Sequence, residues 1–176
     1  MIPIREPIKK NRLMSIDPSI NNLGMAIWDI DTTKDIAKIT LMLWKLVHPE
    51  VGNRRNEFDK SLSMLNQINQ WIGIYTVNRI IMETPEHWVV GGFQARETGS
   101  MTKLAFVCGM LCSLVNHTKI EEFKVVTPAE WKGQLPKEVV ANRLKDHYMT
   151  QVDLTQIDAN VADAIEIGHF YLYGSV

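Results

Sequence analysis

The stretch that decides the fold reads LMSIDPSINNLGMAIWD and covers residues 13–29. Its two short apolar runs predict strands over residues 13–17 and 25–29. Pro18 stops the first run, and the Asn and Gly residues between the runs tolerate the left-handed backbone that a turn requires. The stretch therefore predicts two strands joined by a turn, and the first strand ends at a carboxylate, Asp17.

The rest of the chain places most of its helices after its strands. The pattern predicts further strands over residues 37–47, 79–83 and 122–126, and helices over residues 56–73, 93–116, 136–148 and 160–173. The first helix is expected to end at Gly73 and to bury one apolar stripe at three-and-four spacing: Phe58, Leu62, Leu65, Ile68 and Ile72. This arrangement predicts an α/β fold.

Length and composition favour one domain with its own core. The 176 residues are 45% hydrophobic and 22% charged, so we expect a tail over residues 1–12 and a single domain over residues 13–176. No apolar run reaches the roughly 18 to 20 residues of a membrane helix, and the start is charged rather than signal-like, so we expect a cytoplasmic protein without a membrane partner. Cys108 and Cys112 lie four apart in a helical pattern, which argues against a mutual disulfide.

Three carboxylates stand where folding alone gives little reason for a charge. Asp17 and Glu83 each end an apolar strand beside a proline stop, and Asp163 lies among the small and apolar residues of VADAI at 161–165. Carboxylate oxygens are hard ligands that suit Mg²⁺ or Mn²⁺, and two such ions roughly 4 Å apart can cleave a phosphodiester. Glycoside hydrolysis would leave one acid idle. Zinc is disfavoured because the histidines lack ligand-like spacing: His48, His87, His117, His147 and His169.

The net charge of −1 does not exclude nucleic acid, because binding needs only one positive face. Basic residues cluster late in the chain, and the sequence predicts Lys132 and Lys137 at or near helix starts, where anions are favoured.

Three motifs together resemble those of the RuvC-type Holliday junction resolvases: IDPSINNLGMA at 16–26, the strand that ends in Glu83, and VADAI at 161–165. The resemblance covers nearly everything after Arg12 and implies a ribonuclease H-like fold, with a mixed five-stranded sheet flanked by helices. It implies that Asp17, Glu83 and Asp163 bind Mg²⁺, with two ions per site and Mn²⁺ as a substitute. It also implies catalytic roles near the scissile phosphate for Lys132 and Lys137.

Asn160 departs from the pattern of that family, which commonly carries Asp or His three positions before its last acid. Asn160 and Asp163 are almost one helical turn apart, so the amide oxygen could still act as a weak ligand and catalytic group. Either Asn160 is native and Asp158 or Glu166 compensates, or Asn160 replaces a catalytic Asp. Asp158 has a structural alternative as a helix N-cap. If charge is what is missing, Asn160→Asp should raise Mg²⁺-dependent cleavage.

DNA contacts are expected from Trp88, Phe93, Arg96 and Lys103, in addition to Lys132 and Lys137. The aromatic residues stand in a glycine-containing segment and could stack on the bases of an opened junction. The helix predicted over residues 93–116 is apolar on more than one face, which fits either a homodimer interface or a buried central helix.

The function predicted is paired, symmetric, metal-dependent cleavage of four-way DNA junctions by a homodimer, because a two-fold protein places two sites on a nearly two-fold substrate. Any branch-migration machinery that acts with it is not visible in the sequence. Alternatives are another ribonuclease H-like nuclease, such as an RNA–DNA hybrid hydrolase or a transposase core, a non-catalytic junction binder, and an actin-like phosphotransferase. The last alternative normally needs a second domain, for which this length leaves little room.

Overall fold

The computed structural model describes residues 11–33, 37–50, 56–84, 99–116, 119–133, 139, 142, 147–148 and 157–174. Its strands are β1 (Arg12–Asp17), β2 (Leu23–Asp31), β3 (Lys38–Val47), β4 (Arg79–Glu83) and β5 (Glu122–Val126). Its helices are α1 (Glu57–Tyr75), α2 (Ser100–Ser113), α3 (Pro128–Trp131) and α4 (Ala159–Tyr173), and a short 3₁₀ turn (Leu114–Asn116) follows α2.

The strands form one mixed sheet in the order β3-β2-β1-β4-β5. β1, β2 and β3 pair antiparallel, whereas β4 pairs parallel to both β1 and β5. The two central parallel strands, β1 and β4, therefore finish at the same end of the sheet. The predicted mixed five-stranded sheet is confirmed.

Helices cover both faces of the sheet, and strand side chains alternate between them. Met14 and Ile16 of β1 belong to the cluster formed with α1 and α2. Leu13 of β1 and Ile81 of β4 belong to the opposite cluster, which includes residues of α3 and α4. We call these the α2 face and the α4 face. The alternation fixes which face receives each residue at the strand ends.

The buried stripe of α1 differs from the predicted one. Ser61, Met64, Ile68 and Ile72 are buried, whereas Phe58 is 53% exposed and Leu62 is 37% exposed. Both stripes contain Ile68 and Ile72, so the spacing alone does not separate them in the first half of the helix. The phenyl ring of Phe58 instead packs on that of Phe106 from α2, with 6.0 Å between the ring centroids.

The end of α1 was also predicted wrongly. The helix runs past Gly73 to Tyr75, and Thr76 caps it in the left-handed conformation, with φ of 50°. The guanidinium of Arg12 donates to the backbone oxygen of Tyr75 and so holds the last turn. This contact joins the end of α1 to β1.

The late helices agree with the sequence in part. α4 begins and ends within one residue of its prediction. α2 lies within the helix predicted over residues 93–116, of which residues 93–98 fall outside the described part of the chain. Most of the helix predicted over residues 136–148 lies outside the described residues, although Val139, Asn142, His147 and Tyr148 are helical. Among the helices described, none is long and apolar enough to cross a membrane.

Candidate functional site

Two of the predicted acids end adjacent parallel strands. Ile16 pairs with Met82 in the β1–β4 ladder, so Asp17 and Glu83 follow at the same level of the sheet. Strand alternation assigns both residues to the α4 face, because they continue the positions of the residues that pack there. Asp17 is only 8% exposed, and Glu83 is partly buried.

The start of α4 is pressed against this end of the sheet. Gly24 lies opposite Asp17 in the β1–β2 ladder, and a Cβ atom on Gly24 would overlap the backbone carbonyl of Asn160. The side-chain amide of Asn160 donates to the backbone oxygen of Asn22 at 2.6 Å. Only glycine permits this approach of helix and strand. Asp163 follows about one turn later and is 8% exposed.

The charges of the two strand-end acids also reach the opposite face of the sheet. Burial raises the pKa of the Cys108 thiol to about 12, and Cys112, Glu83 and Asp17 add smaller increases. Cys108 lies in α2 and belongs to the same core cluster as Ile16 and Met82, the residues that precede the two acids. A thiol with so high a pKa stays protonated and is not a nucleophile.

Asp17, Glu83, Asn160 and Asp163 thus share one face and one end of the sheet, and their oxygen atoms suit a hard divalent cation. Within the described part of the chain, however, no three or more His, Cys, Asp or Glu side chains are grouped closely enough to hold a metal ion. The chemistry of the four side chains therefore suits a divalent cation, but the acids among them do not form a ready-made coordination shell.

Glu83 has a neighbour that the sequence did not indicate. The indole Nε1 of Trp131 donates to Oε2 of Glu83 at 2.7 Å, and Trp131 is 2% exposed. The Lys132 ammonium lies 5.0 Å from the centroid of the Trp131 ring. The only signal in the sequence was the pattern Thr127-Pro128-Ala129-Glu130, which is typical of a capped helix start.

Lys132 ends a short helix and does not begin it, unlike the prediction: it is the C-cap of the four-residue α3. Residues 134–138, where the next helix is predicted to begin, lie outside the described part of the chain. The position of Lys132 close to Trp131 and Glu83 nevertheless brings it to the same end of the sheet. Lys137 lies outside the described residues.

The other predicted DNA contacts divide into two groups. The ammonium of Lys103 is 3.4 Å from Oε1 of Glu57, an ion pair between α2 and α1 on the α2 face. The structure therefore does not bring Lys103 to the acids. Trp88, Phe93 and Arg96 lie outside the described residues.

The two acids that could replace the missing charge near Asn160 have different surroundings. Asp158 is the N-cap of α4, and its carboxylate accepts from the backbone N–H of Asn160 at 2.8 Å. Glu166 lies on the buried face of α4 and is only 2% exposed. Asp158 therefore has a structural role that explains its charge.

Histidines do not join the acids in the described residues. His48 contacts the side chain of Asn22 at 2.8 Å, and His169 contacts the hydroxyl of Tyr148 at 2.9 Å. Burial, with the nearby His147, lowers the pKa of His169 to about 4, so it is neutral at ordinary pH. His87 and His117 lie outside the described residues.

Solved structures share this fold over nearly the whole chain. RuvC of Thermus thermophilus in complex with a Holliday junction substrate superposes with a TM-score of 0.68 at 13% identity, covering 93% of this chain and 97% of that one. The fowlpox virus Holliday junction resolvase gives 0.57 at 12% identity, with 92% and 97% covered. The yeast mitochondrial Holliday junction resolvase gives 0.56 at 12% identity, with 89% and 77% covered.

At the sequence level, no family profile and no curated protein matches the chain. At these identities the superpositions show the fold alone, and that fold agrees with the expectation from the three motifs. The chain has the mixed five-stranded, ribonuclease H-like α/β fold found in RuvC and in the fowlpox and yeast mitochondrial junction resolvases.

Proposed function

We propose that the chain is an endonuclease that resolves four-way DNA junctions by paired, metal-dependent cleavage of two opposing strands. The observation that carries the proposal is the meeting of Asp17, Glu83 and the first turns of α4 on one face at one end of the sheet. The fold supports it, since RuvC with a junction substrate superposes over 93% of the chain. No Gly-x-Ser-x-Gly elbow or phosphate-binding Gly-rich loop offers a competing chemistry.

The proposed ligands are Asp17, Glu83, Asp163 and the amide oxygen of Asn160. Asp17 and Asp163 are both 8% exposed, and desolvated carboxylates of this kind are favoured when a cation joins them. Bound Mg²⁺ or Mn²⁺, with two ions per site, would activate water and stabilise the leaving oxygen. Amide oxygen is a weaker ligand than carboxylate, so Asn160 would add a weak bond and no charge at the site.

The proposed role of the cationic residues is to bind the phosphate. Lys132 lies beside Trp131 at the acidic end of the sheet, where its ammonium can offset the negative charge of DNA. Lys137 is proposed for the same role from the family resemblance. Trp88, Phe93 and Arg96 remain the proposed contacts to the opened junction.

A homodimer would meet the symmetry of the substrate, and α1 and α2 offer a surface for it. Phe58, Leu62 and Phe106 are exposed by 53%, 37% and 41%, and the two phenyl rings touch across the helices. Large apolar groups that are exposed together mark interaction surfaces more often than isolated ones do. α2 is also not fully buried in the monomer, which favours the dimer over the central-helix alternative. We propose that this surface pairs two copies.

Asn160 gives specific support to one competitor, the junction binder that does not cleave. Its amide is engaged with the backbone oxygen of Asn22, so it serves the fold whether or not it serves a metal. Hybrid hydrolase and transposase activities share the acids and differ only in substrate. Cleavage assays on a junction, a hybrid and a linear duplex separate all of these. A cytoplasmic location remains a prediction from sequence.

The decisive experiment is incubation of a labelled four-way junction with and without Mg²⁺, using the protein and its Asp17→Asn variant. We expect symmetric nicks in Mg²⁺ and a loss of at least about 100-fold with the variant, because it removes a charged ligand. Asp31→Asn is the matched control, since Asp31 lies at the opposite end of the β2–β3 ladder from Gly24 and its carboxylate accepts from Thr33. Junction binding without nicks in either Mg²⁺ or Mn²⁺ would leave only the binder.

A further inference from the structure

Trp131 lies between an acidic residue, Glu83, and a basic residue, Lys132, which both belong to the proposed site. Its indole Nε1 donates to Oε2 of Glu83 at 2.7 Å, while its ring lies 5.0 Å from the Lys132 ammonium. The indole is 2% exposed, so these contacts form in surroundings where the hydrogen bond is shielded from competing water.

The backbone around Trp131 is held firmly. Thr127 and Glu130 form a capping box, in which the Thr127 side chain accepts from the Glu130 N–H and the Glu130 carboxylate accepts from the Thr127 N–H. The chain after Glu83 is tied to the same point, because the Thr84 N–H donates to the Val126 oxygen at 2.8 Å. The acceptor therefore lies at the end of β4, and the donor lies in the short helix that follows the neighbouring strand, β5.

We propose that Trp131 is a positioning residue that fixes the Glu83 carboxylate for divalent-ion binding. A carboxylate has about four lone-pair sites, so Glu83 can accept from the indole and also bind a metal ion. The bond to one oxygen restricts rotation of the long Glu83 side chain before any ion binds. An ion that binds then loses less free energy to ordering that side chain. The inference rests on the proposed function, because it assigns Glu83 to the metal site.

Trp131→Phe tests the hydrogen bond with little change in shape. Phenylalanine keeps an aromatic ring beneath Lys132 but has no N–H for Glu83. The matched control is Trp28→Phe, which also deletes a buried indole bond, in this case from Nε1 to Oγ of Ser15 at 3.0 Å. Trp28 lies on the same face, but its indole bond reaches Ser15, which is not a proposed ligand.

The measurement is Mn²⁺ binding followed by the electron paramagnetic resonance signal of free Mn²⁺, with no DNA present. We expect Trp131→Phe to weaken binding by about 10-fold or more, the usual effect of losing a group that orients a metal ligand. Trp28→Phe should bind Mn²⁺ as the unmodified protein does. Junction affinity in Ca²⁺ should stay within about 2-fold for Trp131→Phe, because Lys132 keeps its ring.

A double-mutant cycle with Glu83→Gln separates positioning from general loss of stability. If Trp131 acts through Glu83, Trp131→Phe should cause little further loss of Mn²⁺ affinity in the Glu83→Gln background. Equal Mn²⁺ affinity in Trp131→Phe and Trp28→Phe would overturn the inference while leaving the nuclease proposal intact. Failure of the unmodified protein to bind Mn²⁺ or to nick junctions would overturn the proposed function instead.

Discussion

Replacement of Asn160 by Asp tests the missing charge and the local structure at the same time. Asn160 donates its side-chain N–H to the Asn22 oxygen at 2.6 Å, and a carboxylate at that place has no donor. The change therefore removes one hydrogen bond and brings two acceptors together, which costs about 1–3 kcal/mol. A negative charge in the first turn of α4 stabilises the folded state by about 0.3–1 kcal/mol through the helix dipole.

The balance is a loss of about 1.5 kcal/mol in the free energy of unfolding without metal, from the two opposing contributions above. For a chain of this size, such a loss lowers the melting temperature by roughly 3–6 °C. In divalent metal, Asn160→Asp should instead be more stable than the unmodified protein, because the new carboxylate can bind an ion that the amide binds weakly. If the carboxylate adds about 1.4 kcal/mol to ion binding, half-saturation occurs at about a tenfold lower Mg²⁺ concentration.

The assay is thermal unfolding in chelator and in Mg²⁺, together with junction nicking at limiting Mg²⁺. Asn160→Ala is the matched control, since it loses the same hydrogen bond and gains no charge. Both variants should melt lower in chelator, but only Asn160→Asp should recover in Mg²⁺ and nick faster than the unmodified protein. Unchanged turnover of Asn160→Asp at matched Mg²⁺, or equal recovery of Asn160→Ala, would refute the reasoning.

Two further predictions concern the dimer surface and the approach of α4. Phe106→Glu should convert a dimer to a monomer in light scattering and lower paired nicking. The control Ile74→Glu, at the far end of α1, should leave the mass unchanged. A monomeric unmodified protein would contradict the proposed dimer surface. Gly24→Ala should lower the free energy of unfolding by about 1–3 kcal/mol or more and weaken Mn²⁺ binding, because its Cβ would displace the α4 backbone. The control Gly73→Ala has open space around its Cβ and should raise the free energy of unfolding by about 0.5–1 kcal/mol. Equal melting temperatures for the two variants would rule out the contact between Gly24 and α4.

The sequence alone identified the features that depend on neighbouring residues along the chain. Apolar runs stopped by proline marked the ends of β1 and β4, and so marked Asp17 and Glu83 as strand-end acids. Asp158 could be read as an N-cap because capping joins residues two or three positions apart, and the structure shows that bond. The α/β class and the three motifs followed from the same local patterns.

Tertiary structure decided what depends on which elements meet. The direction in which α1 faces the sheet chose Met64 over Leu62, although both fit the helical spacing. The turn of α1 beyond Gly73 is bonded to Arg12, 63 positions away in the chain. The bond from Trp131 to Glu83 joins residues 48 positions apart, and no periodicity in the sequence encodes it. Hydrophobic spacing restricts each element to a few orientations, and only packing against distant elements selects one of them.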